Sequence, residues 1–390
     1  MPFIDKTVME QKVEFVFLAK TLNGFKFSVL CKRFNISRKT GYKWLNRYKE
    51  KGLPGLHEKT RRPLVSPRKC PEEVENYVIR LRKKEPEWGP KKLRRIMQNK
   101  KEEGKYTFTT IPAKNTIGKI LLRNGMITAE RSLESKPFTR FEYDNPNDLW
   151  QMDFKGYFSM LNRKYCHPLA ILDDHSRFNI GLVACSDQKL DTVQQSLINV
   201  FKRYGLPASI LTDNGAPWGS GCQETKNVVR AFTELEKWLI RLNIRLIHGR
   251  PYHPQTQGKE ERFNQTFKKE VLKYNAFRDI NHCQSYFDWW REKYNCRRPH
   301  ESLNQDVPAK HYHPSVRSYP AVLPPVEYAQ NVLIRKVEDH GQISLKNIKY
   351  KIGTAFTGDY VAVKPTNEDG EYEVFYCNQY LRKITLRDIK

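Results

Sequence analysis

The chain has 390 residues and a formal net charge of +26, with 69 Lys and Arg against 43 Asp and Glu. That length allows two to four domains, and an excess of positive charge this large is expected to be neutralised by a polyanion, with nucleic acid the first expectation. No apolar run approaches the roughly 18–20 residues that span a bilayer, and 39% hydrophobic with 12% aromatic residues exclude a disordered chain. The charge is unevenly spread. Residues 1–143 hold 34 basic and 15 acidic side chains, a net +19, and the remainder carries only +7. The eight cysteines are scattered, with no C-x-x-C pair and no Cys/His cluster at zinc spacing. The N-terminus shows no apolar core ahead of a cleavage site. A cytoplasmic protein that engages neither membrane nor small-molecule substrate is expected.

In chain order, residues 8–50 read as short helices broken at Asn23-Gly24. A second helix is expected near 28–34, and Ser37 is placed to cap a third that runs to Tyr48. With Ile36, Trp44, Leu45 and Tyr48 turned inward, Arg38, Lys39, Tyr42 and Lys43 face outward near the helix start. That is the layout of a helix-turn-helix recognition helix, whose first turns enter the major groove. The alternative is a small basic bundle with a solvated face. Residues 61–69 cannot be helical, since Pro63 and Pro67 interrupt them. Arg61, Arg62, Arg68 and Lys69 there form either an arm suited to a minor groove or a flexible linker. Helices near 73–84, 90–99 and 116–124, the last ending on Gly125, give a second basic helical module.

The texture changes at Leu149. Strands near 149–158, 164–172 and 178–184 precede a helix at 192–204, a strand at 208–211, a helix at 228–242, a strand at 245–248 and helices at 257–272 and 283–294. Three meandering strands followed by alternating helices and strands indicate a mixed α/β sheet. Residues 327–390 turn strand-rich, with hairpin signals at Glu338-Asp339-His340-Gly341 and Glu368-Asp369-Gly370. The expected fold class is multidomain: all-α modules, an α/β core and a small all-β domain. The boundaries are 1–60, a basic arm at 61–70, 71–127, a connector at 128–147, a core at 148–315 and a tail at 327–390.

Three carboxylates stand out by context. Asp153 sits in the strand-like run Trp150-Gln151-Met152-Asp153-Phe154, on one face with Gln151 and Lys155. Asp213 follows the apolar strand Ile210-Leu211-Thr212, at the carboxyl end where α/β sheets place ligands. A glutamate lies on the helix after 250–257. At about 100° per residue, Glu260 projects near the apolar stripe of Phe263, Phe267 and Val271, whereas Glu261 shares a face with Gln257, Asn264 and Lys268. Glu261 is therefore the expected groove-facing acid. Converging carboxylates repel, and an approaching phosphodiester sharpens the conflict. Mg²⁺ or Mn²⁺ resolves it, two ions serving an in-line displacement.

Residues 150–156, Asp173-Asp174-His175-Ser176-Arg177, Thr212-Asp213-Asn214-Gly215, the run 250–264 and Tyr294-Asn295-Cys296-Arg297-Arg298-Pro299-His300-Glu301-Ser302-Leu303 occur in order. Together they resemble the bacterial insertion-sequence transposases with an integrase-type core, a branch of the DDE transposases and retroviral integrases. The resemblance covers almost the whole chain. It implies a ribonuclease H-like core, with Asp153, Asp213 and Glu261 as the metal-binding catalytic triad. It also implies that the 252–257 loop lines the site. Arg250, Tyr252, His253, Gln255, Asn264 and Lys268 would then meet DNA. Asp174 reads as structural, and His253 and His300 as DNA-contact or packing residues rather than general bases. A double-stranded DNA partner, comprising element ends and target, and a homodimer or larger synaptic assembly follow from the same likeness.

Two departures accompany it. Between Asp213 and Glu261 lie 47 residues, more than is usual in the family, with the excess near 219–227. Helix-turn-helix segments also stand where retroviral integrases carry a zinc module. A ribonuclease H-type nuclease and a DNA-binding regulator with a spent core are the alternatives.

Overall fold

A computed structural model describes residues 6–21, 26–58, 70–127, 142–219, 231–249 and 258–386. The chain divides into two compact units, residues Met1–Lys69 and Cys70–Lys390.

The first unit is a three-helix domain: α1 (Val8–Thr21), α2 (Phe27–Arg33) and α3 (Arg38–Lys51). Ser37 caps α3 as its sequence predicts, its side chain accepting from the Thr40 N–H. Asn35 takes the left-handed conformation that turns α2 into α3. Phe15, Val16, Leu30, Cys31, Trp44 and Leu56 form the core. Gly41 lies where these helices crowd: a Cβ there would meet Cys31 Sγ at 2.7 Å and Phe15 Cζ at 2.9 Å.

The second unit opens with a helical module of α4 (Glu72–Lys84), α5 (Pro90–Glu102) and α6 (Lys114–Arg123). Val78, Leu93, Met97, Ile117 and Leu121 are buried in its centre. The predicted stop at Gly125 is present, with φ +65°.

The central sheet comprises β1 (Leu149–Phe154), β2 (Phe158–Ser159), β3 (Tyr165–Asp173), β4 (Asn179–Cys185), β5 (Ser209–Thr212) and β6 (Arg245–His248). β3 pairs antiparallel with β1, β2 and β4, while β1, β5 and β6 run parallel to one another in that order. Both faces are covered, which is why these strands read as nearly continuous apolar runs. Trp150, Met152, Leu169, Ile171 and Ile210 pack with Phe201 of α7 (Leu190–Tyr204) and Leu239 of α8 (Glu234–Arg241). On the other face, Ala170, Leu172 and Leu182 meet Phe263 and Phe267 of α9 (Gly258–Phe267) and Phe287 and Trp290 of α10 (Ile280–Cys296).

The tail forms a four-stranded antiparallel sheet in the order β12-β11-β10-β7, made of β7 (Leu333–Lys336), β10 (Tyr360–Pro365), β11 (Glu371–Tyr376) and β12 (Gln379–Thr385). The hairpin of β8 (Gln342–Leu345) and β9 (Ile348–Lys351) completes it. The turn expected at 338–341 is present, closed by an antiparallel bridge between Glu338 and Gln342, although β7 itself pairs with β10. The turn of the β8–β9 hairpin is Lys346-Asn347, both residues left-handed as a tight two-residue connection requires. This domain is seated on the core: Phe232 packs edge-on to Phe356 at 5.2 Å, and Lys237 reaches Asp359 at 3.2 Å.

Candidate active site

The sheet register brings the two aspartates together. Gln151 of β1 lies opposite Leu211 of β5, so Asp153 and Asp213 each fall two residues further along neighbouring parallel strands. Asp153 projects to the face covered by α9, where the Asn264 side-chain amide donates to its Oδ2 at 3.2 Å. Trp218, stacked on Phe154 at 5.7 Å, stands beside the Asp213 side chain. His248, opposite Thr212 in the register, stands beside the Asp213 carbonyl.

The glutamate whose carboxyl feels the charge of this pair is Glu260. It is buried with Phe263, Thr266 and Phe267 on the inner face of α9, whereas Glu261 is exposed. The two faces are those the periodicity predicts, with Glu260 beside the apolar stripe and Glu261, the expected groove-facing acid, open to solvent. The apolar stripe beside Glu260 packs onto the face of the sheet that carries Asp153, so burial and proximity to the aspartates coincide.

Electrostatics mark the three as one group. Burial, followed by the Asp213 charge, pushes the Asp153 carboxyl up to about 6. Asp213 is raised by burial. Glu260 is raised well above the ordinary range, first by burial and then by Asp153 and Asp213. Among the described residues, Asp213 Oδ1 and Glu260 Oε1 are buried with no hydrogen-bond partner, which is costly unless something else satisfies them. An oxygen-only carboxylate set fits a hard divalent cation. No three His, Cys, Asp or Glu side chains among the described residues close to metal-ligand distance, and carboxylates that raise one another's pKa oppose such closure.

A second set of contacts holds these elements in place. The buried Asp174 accepts from Gln151 Nε2 at 2.6 Å and from Lys259 Nζ at 2.5 Å. It thereby ties the strand that carries Asp153 to the first turn of α9. Its oxygens are engaged, so its structural reading holds. Asp173 likewise takes the N–H of Asn147 and both the N–H and hydroxyl of Ser176. His300 is buried edge-on to Tyr294 at 4.6 Å, and burial holds its pKa well below the usual imidazole range. It is a packing residue. Arg38, Lys39, Tyr42, Lys43 and Lys268 are exposed. Arg61, Arg62, Arg68, Lys69, Arg250, Tyr252, His253, Gln255 and the extra segment near 219–227 fall wholly or almost wholly outside the described residues. Sequence reasoning missed Gln151 and Lys259 as partners of Asp174, the Asp173-Asp174 doublet being their only signal.

The Integrase core domain family matches residues 144–254 and 242–308. The middle of the chain is an integrase core domain. Residues 7–56 and 40–121 match Homeodomain-like domains, and 332–390 match the C-terminal domain of the IS481 family transposases. Integrase cores are a divalent-metal-dependent family. The chain is similar to an uncharacterised protein of insertion element IS407 from Burkholderia multivorans, 26% identical over 42% of this chain and 55% of that protein. It is also similar to the transposase for transposon Tn552 of Staphylococcus aureus, 24% identical over 91% of this chain and 78% of that one. It spans about half the length of the insertion-element proteins it matches. Among solved structures, the HTLV-2 integrase catalytic core in complex with magnesium aligns at a TM-score of 0.34 and 15% identity, over 44% of this chain and 99% of that one.

Proposed function

We propose that the chain is a transposase. It binds the terminal inverted repeats of a mobile element, cleaves a phosphodiester at each end, and joins the freed 3′-hydroxyl to target DNA. The observation that carries this reading is the convergence of Asp153 and Asp213, at the ends of parallel strands, with a glutamate pair on the helix across them. Two divalent cations would be held by Asp153, Asp213 and an acid of the Glu260–Glu261 pair. When bound, such ions lower the barrier to in-line displacement by stabilising charge on the entering and leaving oxygens. Geometry favours Glu260 as the third acid, and the family resemblance favours Glu261.

The chain's own residues prepare the site. Asn264 holds one oxygen of Asp153. Asp174, gripped by Gln151 and Lys259, sets the spacing between β1 and α9. Exchange of one phosphodiester for another is nearly neutral in energy, so no nucleotide cofactor is required. Arg38, Lys39, Tyr42 and Lys43, on the open face of α3, would read the element ends, with a homodimer or larger assembly holding two ends at once.

The test is strand transfer with labelled element-end DNA, a target plasmid and Mg²⁺ or Mn²⁺. Joined products from wild type that vanish in Asp153→Ala and Asp213→Ala support the reading. Loss in Glu260→Gln with Glu261→Gln still active assigns the third acid to Glu260, and the reverse assigns it to Glu261. End binding without cleavage or joining under either metal overturns the transposase in favour of a DNA-binding regulator.

A further inference from the structure

Helix starts normally favour acids, because the macrodipole presents positive charge there. α4 obeys, with Glu72, Glu73 and Glu75 in its first turn. α5 and α6 do not. Neither first turn carries an acid, and neither N-cap residue, Gly89 or Ala113, supplies a side-chain cap. Lys91 and Lys92 occupy the start of α5 instead, and Lys114 the start of α6. Both helix starts open on one cleft of about 250 Å³, lined by Lys91, Arg94, Arg95 and Lys114 together with Asn304 and Gln305 of the core.

No acid lines this cleft. The carboxylates nearby are already paired, one of them with a lysine of the cleft. Glu301 pairs with Lys91, Asp306 with Lys310 at 3.1 Å, and Glu270 with Arg298 at 2.9 Å. Among the described residues, the Nε atoms of Arg94 and Arg95 are buried without a hydrogen-bond partner, an expensive state for a charged donor. On the core side, Asn304 and Gln305 both hold left-handed backbone, at φ +53° and +66°. For Gln305 that conformation is uncommon and of the kind kept at ligand clamps. Lys92, next to the cleft residue Lys91, has its pKa drawn down to about 7, first by burial and then by Arg298.

Resting on the transposase reading, we propose that this cleft seats a backbone phosphate of duplex DNA, clamped jointly by the second helical module and the core loop 304–305. Uncapped helix N–H groups and unpaired guanidinium donors are what a phosphate takes. Four cations spread over two helices, of which only Lys91 is paired with an acid among the described residues, suit a strand that continues past the cleft. A contact of this kind positions the duplex without reading its sequence.

The experiment measures affinity of the full chain for a labelled duplex of arbitrary sequence across a salt series. The variants are Arg94→Gln/Arg95→Gln and, separately, the exposed Lys114→Gln, which tests the same cleft without touching a buried group. The expected result is a Kd about ten-fold higher for the double variant near physiological salt, and a log–log salt slope shallower by about one to two. Lys114→Gln should shift both in the same direction by less, and a second duplex of scrambled sequence should lose the same factor. Wild-type affinity and slope in all variants overturn the clamp while leaving the transposase reading intact. A wild-type chain that binds no duplex DNA sinks that reading itself. Inorganic phosphate at matched ionic strength forms the last arm. If it raises the melting temperature of wild type but not of the double variant, and the DNA slope is unchanged, the cleft belongs to a free anion and the DNA clamp is overturned.

Discussion

At the scale of single residues, the site is built against its own stability. Asp153 carries a pKa of about 6 where an aspartate ordinarily has 3.8, so the folded chain binds that proton more tightly than the unfolded one. The stability contributed by this group is complete below about pH 4 and is lost as pH rises through 6. A shift of about two pH units corresponds to at most about 3 kcal/mol. Glu260 is displaced in the same direction. Asp153→Asn should therefore raise the melting temperature of the metal-free protein at pH 7.5 by several degrees, with the gap closing toward pH 4, while joining activity is lost. Added Mg²⁺ or Mn²⁺ should raise the melting temperature of wild type at pH 7.5, do little at pH 5, and leave the Asn variant unmoved. An Asn variant less stable than wild type at pH 7.5 would refute the electrostatic account. The choice between Glu260 and Glu261 also shows how far periodicity reaches. It places Glu260 on the buried face correctly, yet whether that face meets apolar core or the edge of a site depends on which strand lies beneath, and only the register of β1 against β5 supplies that.

At the scale of elements, most of the core is legible because its pattern is forced. Strands covered on both faces leave unbroken apolar runs, and β6 lies where its sequence places it. What escapes is set by tertiary pairing. The turn at Lys346-Asn347 carries no glycine, and the Glu338–Gly341 turn, though it forms, is closed by a single bridge while β7 finds its ladder partner in β10. The helix that bears the glutamates is secured by another contact of this long-range kind. Glu270, in the π-turn Lys268–Leu272 that prolongs α9, receives Arg298 Nε at 2.9 Å and Trp290 Nε1 at 3.3 Å. Both members of the ion pair are buried, with side-chain exposures of 10% and 5%. Arg298→Met should cost about 3–5 kcal/mol by stranding a buried carboxylate, and a second change, Glu270→Leu, should restore much of it. Denaturant unfolding of the single and double variants reads both numbers. In the first unit, Gly41→Ala should cost about 1–3 kcal/mol, since the added methyl meets Cys31 and Phe15 inside van der Waals distance. A neutral Gly41→Ala would show that α3 can slide outward.

At the scale of the molecule, charge and compactness divide the chain differently. The positive excess is concentrated in residues 1–143, but the compact units part at Lys69, so the second helical module belongs with the catalytic core. Lys293 binds Glu85 at 2.6 Å, and Tyr274 donates to Glu87 at 2.5 Å, linking α10 and the segment after α9 to the turn between α4 and α5. Sequence alone could not assign this allegiance, because both helical modules are basic and of similar length. The division has a functional consequence. A chain limited to residues 70–390 retains every described element of the integrase core and the basic cleft beside it, and loses the Arg38–Lys43 face of α3. Its melting transition should match that of the core in the full chain. Metal-dependent nicking of duplex DNA should persist, while preference for element ends over scrambled duplex should fall by at least about ten-fold, the loss of one base-reading module being worth that much or more. Undiminished end preference in the truncated chain would move recognition to α4–α6 and reduce the first unit to a phosphate-binding accessory.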